Sequence, residues 1–355
     1  MKKSLVALAI GGFGIGLTEF VVMGLLPDIA GGLRVSIPEA GYMIAAYAMG
    51  VVLGAPTLTA LAGKLSPTKT LIGLMAIFTF FNLLSGFAPN FPMLIMARFL
   101  AGLPHGAYFG IGAVVASRLA PPGKEASSVA VMFAGLTLAN VFGVPLGTFV
   151  GHNFSWRLAF AMVGTVGIAA MIAIYRWVPV VAANPTQTFR KDLKIFRNPA
   201  LWLSILLPSV GFAGFFAWIS YIAPLLTVEA KLPGNAVPLL MVIAGLGMTV
   251  GNLWGGKLAD KYSPLKAIIF LMLVLTGVLC LNGIFAASPV ALILLTFVTG
   301  AVALAMCAPI QVLLISNAKE AEMLGASLGQ ASFNIGNALG AALGGIPLTM
   351  GYSFA

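Results

Sequence analysis

Long apolar runs, separated by short polar breaks, make up most of the chain. Each run has about 20 residues or more, which is the length an α-helix needs to cross a hydrocarbon core about 30 Å thick. The breaks carry Pro, Gly, Asn and charged residues, as connections between helices do. The pattern predicts eleven spanning helices, over residues 4–27, 38–61, 69–88, 92–116, 126–150, 157–178, 199–225, 234–256, 265–285, 289–314 and 324–349.

The composition places the chain among integral membrane proteins. Of its 355 residues, 60% are hydrophobic and only 8% are charged, whereas about a quarter of the residues of a soluble domain are charged. The first apolar run follows two lysines, as in a secretory signal, but it continues to Pro27 without a convincing small-residue cleavage site. We therefore interpret it as the first spanning helix.

The formal net charge of +10 indicates membrane topology and disfavours nucleic acid as a partner. Binding to nucleic acid needs basic residues clustered on one solvated face, and here they are scattered between apolar runs. Lys and Arg concentrate on the cytoplasmic side of membrane proteins. With a cytoplasmic N-terminus, all but four of the 19 basic residues fall on the inner side. The exceptions are Arg34, Arg157 and Lys231 on the outer side and Arg98 within a helix.

The second half of the chain repeats the first. LIMARFLAG at Leu94 matches LILLTFVTG at Leu292, and the phrase GKLSPTK at Gly63 returns as GKLADKYSPLK at Gly256. With the two glycines aligned, the first copy lacks four residues equivalent to ADKY. We predict two six-helix bundles, residues 1–180 and 199–355, joined by a cytoplasmic linker over 181–198, with a twelfth helix expected beyond Ala355. Repeated helical halves with a site between them are typical of secondary transporters.

Several motifs resemble those of the major facilitator superfamily, in its branch of drug and sugar:proton antiporters. GKLADKYSPLK resembles the loop motif of that superfamily, RFLAGLPHGAYFG at Arg98 its buried-arginine motif, and NVFGVPLG at Asn140 its antiporter motif. Together with LTEF at Leu17 and FNIGNALG at Phe333, they resemble bacterial arabinose efflux permeases. The resemblance implies an all-α membrane fold of the major facilitator type in the bacterial inner membrane.

The resemblance also implies roles for the motif residues. In the loop motif Gly256 starts the turn, and Asp260, with Lys261, pairs with neighbouring helix ends. In the antiporter motif Pro145 kinks the helix, and Gly143 and Gly147 bring helices together. The resemblance implies that this motif also seals the cavity between the bundles.

Glu19 is the one acid of the chain that lies away from the loops and helix ends, and it is at about the same depth as Arg98. A lone charge at that depth costs at least about 2.5 to 3.5 kcal/mol, so such residues usually pair or face a cavity. Burial favours a neutral carboxyl group and a nearby guanidinium favours the carboxylate, so movement between two states could load and release a proton. We predict that Glu19 and Arg98 couple transport to protons; the alternative is a purely structural bridge.

His105 and Phe109 share one helical face with Arg98. Since histidine titrates near neutral pH, His105 either relays protons or binds substrate, or it is a packing residue. In the second half, Phe215, Trp218 and Tyr221 share a face. We predict a substrate cavity with apolar walls and a few amides, formed by Phe109, Asn140, Phe215, Trp218, Tyr221, Gln311 and Asn334. Aromatic residues facing lipid are the competing interpretation.

The leading functional prediction is a secondary active transporter that exports sugars or small amphipathic compounds in exchange for protons. The alternatives are a facilitator or importer of the same fold, or a sensor that binds substrate without moving it. No cofactor, metal or catalytic residue is predicted, since the chain has no HExxH or GxSxG motif and only two histidines. The expected partners are a small molecule, protons and the bilayer, with the chain acting as a monomer.

Overall fold

The computed structural model describes residues 2–182, 193–319 and 321–354, and these form helices without any β-strand. Most of the predicted linker, 183–192, lies outside the described residues. The α-helices are α1 Lys2–Gly24, α2 Leu26–Leu33, α3 Ile37–Leu61, α4 Pro67–Phe87, α5 Phe91–Arg118, α6 Glu125–Leu138, α7 Val144–Asn153, α8 Trp156–Trp177, α9 Pro199–Gly211, α10 Ala213–Ser220, α11 Ile222–Pro224, α12 Val237–Tyr262, α13 Pro264–Ile284, α14 Pro289–Ala305, α15 Cys307–Asn317 and α16 Glu322–Thr349. Ala139–Gly143 and Leu225–Glu229 are π-helical, and Leu193–Arg197 and Gly234–Ala236 are 3₁₀ turns.

Ten stretches of the described helices are long and apolar enough to span a membrane. The eleventh predicted span is also a helix, α16, with 28 residues, but it is not among those ten. Gln330, Asn334 and Asn337 and many glycines lower its hydropathy. A search for apolar runs therefore finds this helix less readily than the others. Some of its polar residues contact the first half.

Prolines explain why several predicted spans are broken. Pro309 has no N–H with which to bond Ala305, and the helix is interrupted at Met306 between α14 and α15. Pro145 follows the π-helical segment between α6 and α7 in the same way. Single hydrophobic runs thus fold as two or more consecutive helices.

The helix starts follow from local sequence. Ser36 accepts a hydrogen bond from the Glu39 amide while the Glu39 carboxylate accepts from the Ser36 amide, which forms a capping box. Asn90 caps α5 and Asn198 caps α9 in the simpler way, with the side-chain oxygen accepting one backbone N–H. Each of these helices has Pro in its first turn, where the missing N–H costs nothing.

Buried apolar side chains form two main clusters. One joins residues between Leu5 and Val178, with Ala308 as the one member from later in the chain, and the other joins residues between Ile195 and Phe333. We call residues 2–182 the first half and residues 193–354 the second half. Large apolar side chains such as Leu273 and Ile284 remain exposed on the outside, as expected of a surface that faces lipid.

The two halves meet along a seam, formed by α3, α5 and α6 of the first half and α12, α15 and α16 of the second. Thr59 and Ser327 are hydrogen-bonded across it at 2.7 Å, and the Arg118 guanidinium pairs with Glu322 at 2.9 Å. These contacts lie towards the end of the bundle at which α1 begins with Lys2 and Lys3, which we call the basic end. The seam is closed there.

The structure corrects the alignment of the two loop phrases. Both following helices begin at a proline, Pro67 for α4 and Pro264 for α13, and 264 minus 67 gives an offset of 197. Two close backbone contacts keep that offset. Gly50 of α3 abuts the Phe99 carbonyl of α5, and Gly247 of α12, which is 197 residues after Gly50, abuts the Phe297 carbonyl of α14. The expectation of four missing residues is therefore wrong, because matching the glycines of the phrases displaced the register. At the offset of 197, Gly63 corresponds to Asp260.

Candidate functional site

Arg98 is the largest fully buried side chain among the described residues, with 1% of its surface exposed. Its Nη1 donates to the Thr18 hydroxyl at 2.7 Å and its Nη2 to the Thr18 carbonyl at 3.2 Å. The Thr18 hydroxyl in turn donates to the Asn82 carboxamide oxygen, while the Asn82 Nδ2 donates to the Phe78 carbonyl at 2.8 Å. Neutral groups from α1 and α4 thus hold the guanidinium, and its Nε has no partner.

Aromatic rings cover the Arg98 guanidinium on the side of α3 and α8. Its central carbon lies 4.3 Å from the centroid of the Tyr47 ring and 5.7 Å from that of Phe160. The Tyr47 hydroxyl is hydrogen-bonded to His105 Nδ1 at 3.1 Å. Arginine, tyrosine and histidine therefore form one contiguous buried cluster.

Glu19 lies next to this cluster but is not bound to it. Its side chain is half-buried, and within the described residues it forms neither a hydrogen bond nor an ion pair. It directly follows Thr18, whose hydroxyl and carbonyl oxygens accept the hydrogen bonds of Arg98. The ion pair that the structural-bridge alternative requires is thus absent among the described residues, and the guanidinium is bonded to Thr18 instead.

The second half has a related but uncharged cluster on the corresponding helices. Trp218 Nε1 donates to Asn282 at 3.1 Å, and the Asn282 Nδ2 donates to Thr299 at 3.0 Å. The position that matches Arg98 in the repeat is Thr296, which is buried and donates to the Leu292 carbonyl of its own helix. In the second half the same helix arrangement holds without any charge.

The predicted cavity residues are spread over both halves and do not form one described pocket. Phe109 is fully buried and stacks on Phe133, with ring centroids 4.9 Å apart. Phe215 packs on Trp218, and Tyr221 lies against Gly344. Contacts of these four predicted residues, Phe109, Phe215, Trp218 and Tyr221, with a substrate stay a prediction.

The predicted amides lie nearer the seam. Asn140, in the π-helical segment, approaches Gly245 of α12. Gln311 is buried, and its Nε2 donates to the Ala326 carbonyl at 2.6 Å while its Oε1 has no partner. Asn334 is half-buried, and its Nδ2 donates to Gln330 within α16. A crevice of about 400 Å³ at the basic end, lined by Ser4, Leu119, Arg176, Trp177, Val178 and Pro179, contains none of the predicted cavity residues.

The glycine ladders pack helices within each half. A side chain at Gly143 or Gly147 would meet Phe13 or Val21 of α1, and one at Gly340 would meet backbone atoms of α10. Pro145 is exposed. These glycines thus contact helices of their own half, while the neighbouring Asn140 and Val141 approach Gly245 of α12 across the seam. The sealing role stays a prediction.

The loop motif of the second half crosses the seam. Both carboxylate oxygens of Asp260 accept backbone N–H groups at the start of α6, from Ala126 at 2.9 Å and from Ser127 at 3.0 Å. The positive end of the helix dipole favours a carboxylate at this place. Gly256 does not start the turn as predicted, because α12 continues to Tyr262; it lets α12 approach the backbone of α6 closely. Lys261 lies over the Tyr262 ring at 4.9 Å.

Thr18, Asn82 and Tyr47 were missed in the sequence. Thr18 is the immediate neighbour of Glu19, and Asn82 is a lone amide in an apolar helix, which is a usable signal for a polar contact inside a membrane. Tyr47 gave no signal, because a tyrosine in a spanning helix is indistinguishable from a packing residue. Among the described residues no group of His, Cys, Asp and Glu is placed to hold a metal.

Multiple spans, two related halves and a buried charge cluster define the class of multi-pass membrane transporters. The model of the Major Facilitator Superfamily matches residues 8–234 and 219–353, and the chain belongs to that family. It is 38% identical over 354 residues to the putative transporter AraJ of Escherichia coli, covering 100% of this chain and 90% of AraJ. It is 30% identical to the chloramphenicol resistance protein of Streptomyces lividans, covering 96% and 88% of the two chains.

The fold is also that of solved family members. The fucose:proton symporter FucP of E. coli superposes with a TM-score of 0.80 at 13% identity, over 99% of this chain and 93% of FucP. Members of this family are membrane transporters and not enzymes, so the expectation of a transporter is confirmed.

Proposed function

We propose that the protein exports sugars or small amphipathic compounds in exchange for protons, by rocking of its two halves about the seam. The observation that carries the proposal is the acid Glu19, half-buried within a spanning helix and beside a buried arginine with which it does not pair. A carboxyl group in this position can exist with or without its proton, and a change in the distance to Arg98 decides which form is favoured.

The seam supports alternating access. The halves touch at the basic end, and the concentration of Lys and Arg there supports a cytoplasmic location for that end in an inner membrane. The closed basic end then corresponds to a state that faces outward. Release of Asp260 from α6, together with loss of the Thr59 and Arg118 contacts, would open the opposite state.

Export is supported by the resemblance to efflux permeases and by the similarity to a chloramphenicol resistance protein. A sugar is supported by the resemblance to arabinose efflux permeases, while the fold is shared with a fucose:proton symporter. The second candidate, an importer of the same fold, has the same proton site and differs only in the direction of the sugar flux.

The test measures proton flux in inverted vesicles after addition of L-arabinose or chloramphenicol. We expect either compound to drive protons out of the vesicle lumen in the wild type and not in Glu19→Gln. Asp28→Asn is the matched acid-to-amide control, because Asp28 lies at the end of the bundle opposite the basic end, and its described side-chain bonds go to His152. Proton flux in the same direction as the sugar would indicate an importer, and transport without proton flux would eliminate coupling.

A further inference from the structure

The aromatic ring of Tyr47 covers one face of the Arg98 guanidinium. Its ring lies 4.3 Å from the guanidinium carbon, and only 3% of the residue is exposed. A cation over an aromatic face is attracted by the ring, by about 0.5 to 2 kcal/mol depending on how dry the site is. Glu19 would attract a cation more strongly; it directly follows Thr18, which binds Arg98, but among the described residues it bonds to neither Arg98 nor Tyr47.

We propose that Tyr47 is a positioning residue that competes with Glu19 for the Arg98 guanidinium and so sets the pH at which Glu19 exchanges its proton. The inference rests on the proposed proton coupling. While the ring covers Arg98 and the guanidinium is bonded to Thr18, Glu19 has no ion pair with it, so its protonated form is favoured relative to a paired state. When the ring withdraws, the guanidinium can reach the carboxylate and the proton leaves.

The position of Tyr47 on α3 links this exchange to the seam. Tyr47, Val51, Ala55 and Thr59 follow one another at four-residue intervals and therefore lie along one face of the helix. Ala55 touches Gly106 of α5, and Thr59 is bonded to Ser327 of α16. From Thr59 to Tyr47 is 12 residues, or about 18 Å along the helix. A shift of α3 when α16 separates from it would move the ring relative to Arg98.

The other titratable groups near Tyr47 are few. Among the described residues, α1 contributes Glu19 and α5 contributes Arg98 and His105. Helix α16 also packs on α3, and its described acid, Glu322, lies at the basic end and is bound to Arg118. A change at Tyr47 therefore acts on a known set of three groups.

The test follows the protonation of Glu19 directly and needs no transported compound. The infrared band of its protonated carboxyl group is assigned in the purified full-length protein as the band lost in Glu19→Gln, and is then titrated with pH. In Tyr47→Leu we expect the midpoint to move about one pH unit lower, because the uncovered guanidinium stabilises the carboxylate. Tyr47→Phe keeps the ring and loses the hydroxyl, so its midpoint should equal that of the wild type.

Hydration of the site would also move the midpoint down, and a second background separates the two causes. In Arg98→Met the shift caused by Tyr47→Leu should vanish, since no guanidinium remains; a shift that persists there overturns the proposal. An unchanged midpoint in Tyr47→Leu, or an equal shift in Tyr47→Phe, also overturns it. If Tyr47→Leu does not fold, Tyr47→Met replaces it. A wild type whose Glu19 band does not titrate eliminates the proposed coupling as well, so the two failures are distinguishable.

Discussion

The two halves use the same helices for different chemistry. In the first half, α1, α4 and α5 meet around Arg98 and an acid; in the second, the corresponding helices meet around Trp218, Asn282 and Thr299. Because the uncharged cluster is as completely bonded as the charged one, the fold does not need a guanidinium at this point. Because a charge inside the membrane is costly, the difference supports the proposed role of Arg98 in proton coupling.

The contacts across the seam also differ between the two halves. The second half carries Asp260 across to the start of α6, while the corresponding position of the first half is Gly63. The first half contributes Thr59 and Arg118 instead, with one neutral hydrogen bond and one exposed ion pair. The buried charge thus lies inside the first half, while at the seam the first half contributes the charge of Arg118 and the second half those of Asp260 and Glu322.

Arg98→Thr, which gives the first half the residue of the second, should have the largest effect. We expect at least a tenfold loss of proton-coupled flux of L-arabinose or chloramphenicol, since Glu19 then has no cation to exchange with, while the protein remains folded as the second half does without a charge. Arg98→Lys should recover only part of the flux, because an ammonium group cannot bond both Thr18 oxygens in the same forked geometry. Size-exclusion elution in detergent monitors folding. Full flux in Arg98→Thr would mean that the charge has no part in transport.

Asp260→Asn should have the next largest effect, by opening the seam. The amide oxygen of asparagine can still accept one of the two backbone N–H groups, but its NH₂ group cannot accept the other. The loss costs about 1 to 3 kcal/mol, or about a fivefold or larger shift away from the closed state. Spin labels at Lys69→Cys and Lys266→Cys, both exposed, measure the distance between the two loops once Cys280 has been replaced by Ser. Lys64→Gln is the control, because Lys64 is exposed and forms no hydrogen bond or ion pair within the described residues. Equal shifts in both variants would contradict the asymmetry.

The sequence predicted the helices well because membrane crossing imposes one simple requirement on length and hydropathy. It also identified Arg98, Glu19 and His105, since ionisable residues in apolar runs are conspicuous. The predicted alignment of the two loop phrases was wrong because it matched their Gly-Lys-Leu strings and not the prolines at which both following helices begin. Tyr47 was missed because its role depends on which helix faces Arg98, and periodicity along α3 carries no information about its neighbour.

Thr59→Val should have the smallest of these effects on the seam. The bond between Thr59 and Ser327 joins two neutral hydroxyls, and its loss costs about 1 kcal/mol; the Ser327 hydroxyl keeps its bond to the Met323 carbonyl at 2.8 Å. With the same pair of spin labels we expect a shift of about fivefold or less towards the open seam, smaller than that of Asp260→Asn. Thr57→Val is the matched control, since the Thr57 hydroxyl bonds only carbonyls of its own helix. A shift in Thr59→Val as large as that in Asp260→Asn would show that the first half holds the seam as strongly as the second, and that the charge on Asp260 adds nothing.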